Sequence, residues 1–272
     1  MSRGQLPLAK SLVLVAAFTA REVSWSRKTV FLGLLLLIPA GIAAVVRGEA
    51  PPGAAETFLA EVMPSLVIGV VQLMCLFHGA GLVRDAMEER TLAFLLTRPI
   101  GRARIAQGMY LGLLLYVLPL GLIGAGAGFA ACRAGLPGGM FTDDIDGPTS
   151  VQGLVRLLQV TGGAVVFYCA LYTLFGLVFK ASTIVGLLFL MIFDALLGSL
   201  PGPPRMLSPM SYFEVLLAPH FESRATLMRE MDVYPMESGT AAMVLVVALL
   251  AIMFVTRRLA RGKDFVAFQK AQ

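Results

Sequence analysis

Met109–Ala131 is a run of 23 residues without one charged side chain, and Val30–Val46 and Leu157–Phe179 are further runs of the same kind. This feature restricts the fold more than any motif in the chain. An α-helix rises about 1.5 Å per residue, so about 20 apolar residues cross the roughly 30 Å hydrocarbon core of a bilayer. A soluble core would be written in short amphipathic pieces of period 3.6 or 2. The composition agrees, with 57% of 272 residues hydrophobic, 14% charged and a mean hydropathy of +0.81. That much apolar surface cannot be hidden inside one water-soluble globule. An all-α integral membrane protein is expected, and a soluble enzyme is excluded.

Six segments are expected to span: Val30–Val46, Val62–Val83, Met109–Ala131, Leu157–Phe179, Thr183–Leu200 and Thr240–Thr256. The first, fifth and sixth are short and need flanking residues to complete a crossing. An even number puts both termini on one side, and Lys and Arg identify that side because they accumulate in the cytoplasm. Sixteen of the 22 basic residues lie in the N-terminal segment (Arg3, Lys10, Arg21, Arg27, Lys28), the second connection (Arg84, Arg90, Arg98, Arg102, Arg104), the fourth connection (Lys180) and the tail (Arg257, Arg258, Arg261, Lys263, Lys270). Arg47, Arg133, Arg205, Arg224 and Arg229 fall on the other side, and Arg156 stands near the outer end of the fourth span. Both termini are therefore expected in the cytoplasm. The net charge of +5 follows from this bias, and no nucleic-acid partner is expected.

Cys75, Cys132 and Cys169 have neither CxxC nor Cys/His spacing, so they suggest neither a disulfide framework nor a metal site. Leu12–Phe18, between Lys10 and Arg21, has the layout of a secretory signal, but with Arg21-Glu22 and Arg27-Lys28 it fits better as a helix lying on the inner leaflet.

The stretch between the second and third spans, Arg84 to Ile105, mixes charge with an apolar stripe. Glu88, Glu89 and Thr91 suit a helix start, where free amides and the positive dipole end favour acceptors. Leu92, Leu95 and Leu96 lie on one face, and Pro99 breaks the helix. Such a helix rests on lipid or is presented to a cytosolic partner.

Thr91-Leu92, then Pro99 eight positions after Thr91, Arg102 three further on and Gly108 six beyond that resemble the coupling segment of ATP-binding-cassette type-2 permeases. The chain has Arg90 where that family usually has glycine, Ala86 where it has glutamate and Met109 where it has lysine. The interfacial N-terminal helix, Ser208-Pro209-Met210-Ser211-Tyr212-Phe213 after the fifth span, and Arg257-Arg258 with Asp264 also fall where such permeases have similar features.

The resemblance implies one type-2 transmembrane domain over 1–272. It would comprise an interfacial helix (1–29), spans one and two (30–83), a cytoplasmic coupling segment (84–108), spans three to five (109–200), an extracytoplasmic loop with a re-entrant or surface helix (201–238), and span six with a basic tail (239–272). It implies an exporter subunit in a bacterial inner membrane, paired with a second permease copy or a related permease. Glu88, Glu89, Thr91, Leu92, Leu95, Leu96, Pro99 and Arg102 would then engage a cytosolic ATPase. No cofactor is expected on this chain, because ATP would be bound by that partner. Gly262-Lys263 is followed by Asp264 and has Arg257 in place of the first glycine, so it is not a phosphate-binding loop, and no enzyme activity is expected. The same segment would equally serve a non-transporting anchor of an envelope machine driven by an ATPase. An intramembrane hydrolase would need a nucleophile and base at matching depth, and the only histidines are His78 and His220, near opposite faces.

Asp194 lies about 9 Å of helix rise inside the outer end of the fifth span, where an unpaired carboxylate is costly. Two readings stand: an ion pair with Arg156 at the outer mouth of a translocation path, or bonds to neighbouring helix groups within the bundle. His78 is expected as an interfacial group. Gly108, Gly112, Gly121, Gly124, Gly126 and Gly128 are expected to allow close helix packing.

Overall fold

The computed structural model describes residues 8–24, 27–49, 57–88, 102–134, 150–198, 200, 203–218 and 237–262, and among these there are helices and no strand. The elements are α1 (Leu8–Ser24), α2 (Arg27–Leu35), α3 (Ile38–Glu49), a π-helical stretch Phe58–Val62 that runs into α4 (Met63–Glu88), α5 (Arg102–Arg133), α6 (Val151–Val178), α7 (Ser182–Phe189) continued by π-helical Leu190–Leu197, a 3-10 turn Pro203–Leu207, α8 (Pro209–Leu217) and α9 (Ser238–Gly262).

Among the described residues, four helices are long and apolar enough to cross a bilayer: Phe58–Leu82 (25 residues), Arg104–Arg133 (30), Val151–Val178 (28) and Ser238–Ala260 (23). The segments expected as first and fifth spans fall instead in shorter apolar helices, Leu32–Val46 and Ser182–Leu197. The reason is local in each case. Pro39 has no N–H and its ring crowds the carbonyl of Leu35, so α2 stops there. The chain then passes Leu36 and Leu37 as a turn, with Leu37 N donating to Leu34 O at 3.0 Å, and resumes as α3. The fifth segment widens into a π-helix, which advances less per residue than an α-helix.

The second span also departs from expectation. Arg84 to Glu88 contains good helix formers and no breaker, so α4 continues to Glu88, which closes a helix where a helix start was expected. Likewise α5 opens at Arg102, seven residues before the expected third span.

Facing residues of α4 and α6 form the centre of the core, with Ile68, Met74 and Leu76 packed among Tyr168 and Tyr172, all fully buried. Side-chain size sets how closely the helices approach. Gly108 and Gly112, four apart on α5, receive Val15 and Thr19 of α1: a Cβ at Gly108 would stand 2.7 Å from Val15 Cβ, and one at Gly112 2.6 Å from Ala16 O. On α6, a Cβ at Gly176 would stand 3.1 Å from Ala80 O, the carbonyl to which Ser182 Oγ donates at 2.7 Å. The outward face of α9 (Met243, Val247, Leu250, Phe254) is exposed, as suits a helix against lipid.

Candidate functional site

Gln72, near the middle of α4, is the sole amide among the apolar residues of that helix's spanning portion. Tyr168 and Tyr172, four apart on α6, share one face and stack with ring centroids 6.1 Å apart. The π-helical stretch after α7 carries Asp194. Ser208 is the N-cap of α8, and Pro209 follows as its first helical residue, so Met210 supplies that helix's first free amide.

These groups meet at one carboxyl group. Asp194 Oδ1 accepts from Ser208 Oγ at 2.8 Å and from Met210 N at 3.2 Å. Oδ2 accepts from Gln72 Nε2 and from Tyr168 Oη at 3.4 Å, and Gln72 Nε2 also donates to Tyr172 Oη at 3.3 Å. Four donors thus converge on the two oxygens of this carboxyl group. An N-cap serine ordinarily accepts from an amide of its own helix. Ser208 makes no such bond and turns its hydroxyl to Asp194, which accepts the amide from a different element and places its oxygens at the positive end of the helix dipole.

The other end of α8 is held as well. Arg156, in the second turn of α6, donates from Nε to Leu216 O at 2.8 Å, in the last turn of α8, where a cation suits the free carbonyls. The structure therefore does not join Arg156 to Asp194. The two residues contact opposite ends of the same nine-residue helix, roughly 13 Å apart along its axis. Each charge finds the helix terminus of opposite sign before it could find the other charge. Asp194 adopts the second of the two arrangements expected for it, bonding to neighbouring helix groups.

Further bonds fix α8 and the turn before it. Arg205 and Glu214 form an ion pair at 2.5 Å, Tyr212 Oη donates to Met206 O at 2.8 Å, and Ser211 Oγ donates to Arg205 O at 2.8 Å. Buried Phe213 packs against Phe167 and Tyr168, with centroids 6.0 and 5.8 Å away. No protein-family model matches this chain, and no curated protein does.

Of the coupling residues, Glu88 and Arg102 are described, as the last residue of α4 and the first of α5. Glu89, Thr91, Leu92, Leu95, Leu96 and Pro99 lie outside the described residues. His78 is buried within the bundle. Its Nδ1 lies 3.2 Å from Met74 O and its Nε2 3.5 Å from Thr29 Oγ1, with the Tyr116 ring 5.6 Å away. The Cys75 and Cys169 sulfurs approach to 3.4 Å as free, buried thiols. Among the described residues no three His, Cys, Asp or Glu side chains stand together as a metal set. Because its lone pairs are already engaged, the Asp194 carboxylate acts here as a fastening for α8.

The sequence reasoning passed over Gln72 and Tyr168 and did not read Ser208 as a partner of Asp194. An isolated amide in an apolar run was the one available signal for Gln72.

Proposed function

We propose that this protein is the membrane subunit of an ATP-driven exporter of the ATP-binding-cassette type-2 class. It crosses a bacterial inner membrane six times, with both termini in the cytoplasm, and pairs with a second permease around a central path. Two cytosolic ATPase subunits dock on the segment around Glu88–Arg104. The observation that carries this reading is the Thr91-Leu92…Pro99…Arg102…Gly108 pattern in the connection between two long apolar helices. Supporting it, α4 runs past its apolar portion to Glu88 and α5 opens at Arg102, so both helices extend toward the connection that bears the pattern. In this reading the shorter helices Leu32–Val46 and Ser182–Leu197 complete the first and fifth crossings with flanking residues. Closure of the ATPases on ATP is transmitted through the connection and switches which side of the path is open.

The test is co-purification from the native membrane. An ATPase subunit is expected to accompany the wild-type protein and to be lost from the Leu95→Asp, Leu96→Asp double variant at equal expression. If no ATPase accompanies the protein, or if the double variant leaves both association and ATP hydrolysis unchanged, the coupling role is wrong.

A further inference from the structure

A cavity of about 340 Å³ opens between α6, α8 and α9. Phe167, Phe213, Leu245 and Leu249 form much of its wall, and its lining is apolar except for Arg156 and Gln159, one helical turn apart on α6. Arg156 stands five residues after the start of the 28-residue α6, about 8 Å along the axis; a helix of that length exceeds a roughly 30 Å hydrocarbon core by about 12 Å, so a centred crossing puts Arg156 near the core's edge.

A guanidinium has five N–H donors. Arg156 spends Nε–H on Leu216 O, and among the described residues no carboxylate pairs with it, whereas nearby Arg205 has Glu214. A cation on an apolar wall at membrane depth calls for an anion, and the planar guanidinium fork matches the oxygens of a phosphate. The apolar walls confer little preference of their own, because lipid tails are as apolar as leucine. They admit a hydrocarbon chain, and Arg156 selects its head. A methylene occupies about as much space as a water molecule, roughly 30 Å³, so the cavity holds on the order of ten methylenes, part of one acyl chain.

We propose that this cavity binds an anionic phospholipid, with one acyl chain lodged between α6 and α9 and the phosphate seated on the Arg156 guanidinium. The site depends only on the chain being embedded in a bilayer and stands apart from the exporter reading.

The test uses the full chain purified in a neutral detergent and offered phosphatidylglycerol and phosphatidylcholine with identical chains, with retained lipid counted by native mass spectrometry. Wild-type protein is expected to retain about one phosphatidylglycerol, with roughly tenfold preference over phosphatidylcholine, the scale of one charge-assisted hydrogen-bonded contact. Arg156→Gln is expected to abolish the preference and Arg156→Lys to keep most of it. Arg156→Gln also releases Leu216 O, so two variants test the cavity without touching that bond. They are Gly163→Phe, where a Cβ meets only the Phe213 ring at 3.9 Å, and Ala242→Leu on the facing wall. Each is expected to lower retention at least fivefold with the unfolding temperature unchanged. Equal retention of the two lipids by wild-type protein would overturn the proposal, as would a preference that survives all these variants. Displacement of the lipid by millimolar inorganic phosphate alone would do so too, since the head would then bind without the chain.

Discussion

Asp194→Ala removes an acceptor that joins α4, α6, α8 and the π-helical stretch, and the structure indicates what this should cost. Four donors lose their partner. Tyr168 contributes little, because its bond is long at 3.4 Å, and Gln72 keeps Tyr172. Ser208 is fully buried and Met210 N is the first free amide of α8, so both are left unpaired. Hydrogen bonds between helices in bilayers are worth about 0.6 kcal/mol on average and about 1.7 kcal/mol at most, while an orphaned buried donor in a soluble core costs about 1–3 kcal/mol. The two unpaired donors, with the partial loss at Gln72, then amount to roughly 2–4 kcal/mol. Asp194→Asn retains Oδ1 for Ser208 and Met210 and sets its amide nitrogen against that of Gln72, so it should lose about 1 kcal/mol. Equilibrium unfolding in mixed micelles of neutral detergent and dodecyl sulfate measures both differences. A thiol-reactive dye reports the transition, since Cys75, Cys132 and Cys169 are all buried in the folded protein. A loss below about 0.5 kcal/mol for Asp194→Ala, or an equal loss for Asn and Ala, would refute the fastening role.

Gly112→Leu should destabilise by about 2 kcal/mol or prevent folding, because its Cβ would press on Ala16 O, while Gly126→Ala, with nothing within 4 Å, should unfold as wild type does; the same micelle titration compares them. Glu214→Gln should cost about 1–2 kcal/mol by leaving the half-buried Arg205 unpaired, and a double-mutant cycle with Arg205→Leu should show coupling above about 0.5 kcal/mol; strict additivity would mean that the ion pair contributes nothing. In native membranes a water-soluble maleimide should leave all three cysteines unmodified by mass until detergent denaturation, and labelling before that step would contradict their burial. In a cysteine-free background, the six-span orientation predicts that Phe94→Cys is labelled only from the cytoplasmic side and that Gly53→Cys and Ile145→Cys are labelled only from the opposite side. Any reversal among the three removes that orientation.

Run length and charge alone pointed to an all-helical chain with apolar helices long enough to span a membrane, because a long apolar helix needs no tertiary context to be legible. The break at Pro39 was also present in the sequence, inside the expected first span. Asp194 was marked by the cost of its position, but depth cannot identify a partner. That choice depends on which terminus of α8 comes to lie beside the π-helical stretch, a matter of packing between elements 14 to 122 residues apart. The π-helical conformation has no signature in residue type, and Ser208 looks the same in sequence whether it caps its own helix or donates to another. The sequence left two arrangements open for Asp194, an ion pair with Arg156 or bonds to neighbouring helix groups, and the structure has the second. Arg156 and Asp194 each bond to α8, at its opposite ends.

That helix works as a calliper. One jaw closes on α6 through Arg156 and the other on the π-helical stretch through Asp194, with a beam whose length is fixed by the backbone hydrogen bonds of Pro209–Leu217. If the two elements slide apart by even 1–2 Å, a jaw must open, because a hydrogen bond tolerates no such stretch. Rearrangement at this end of the bundle therefore divides into two classes: those that carry α6, α8 and the 190–197 stretch together as one body, and those that begin with a discrete release at Ser208 and Met210 or at Leu216.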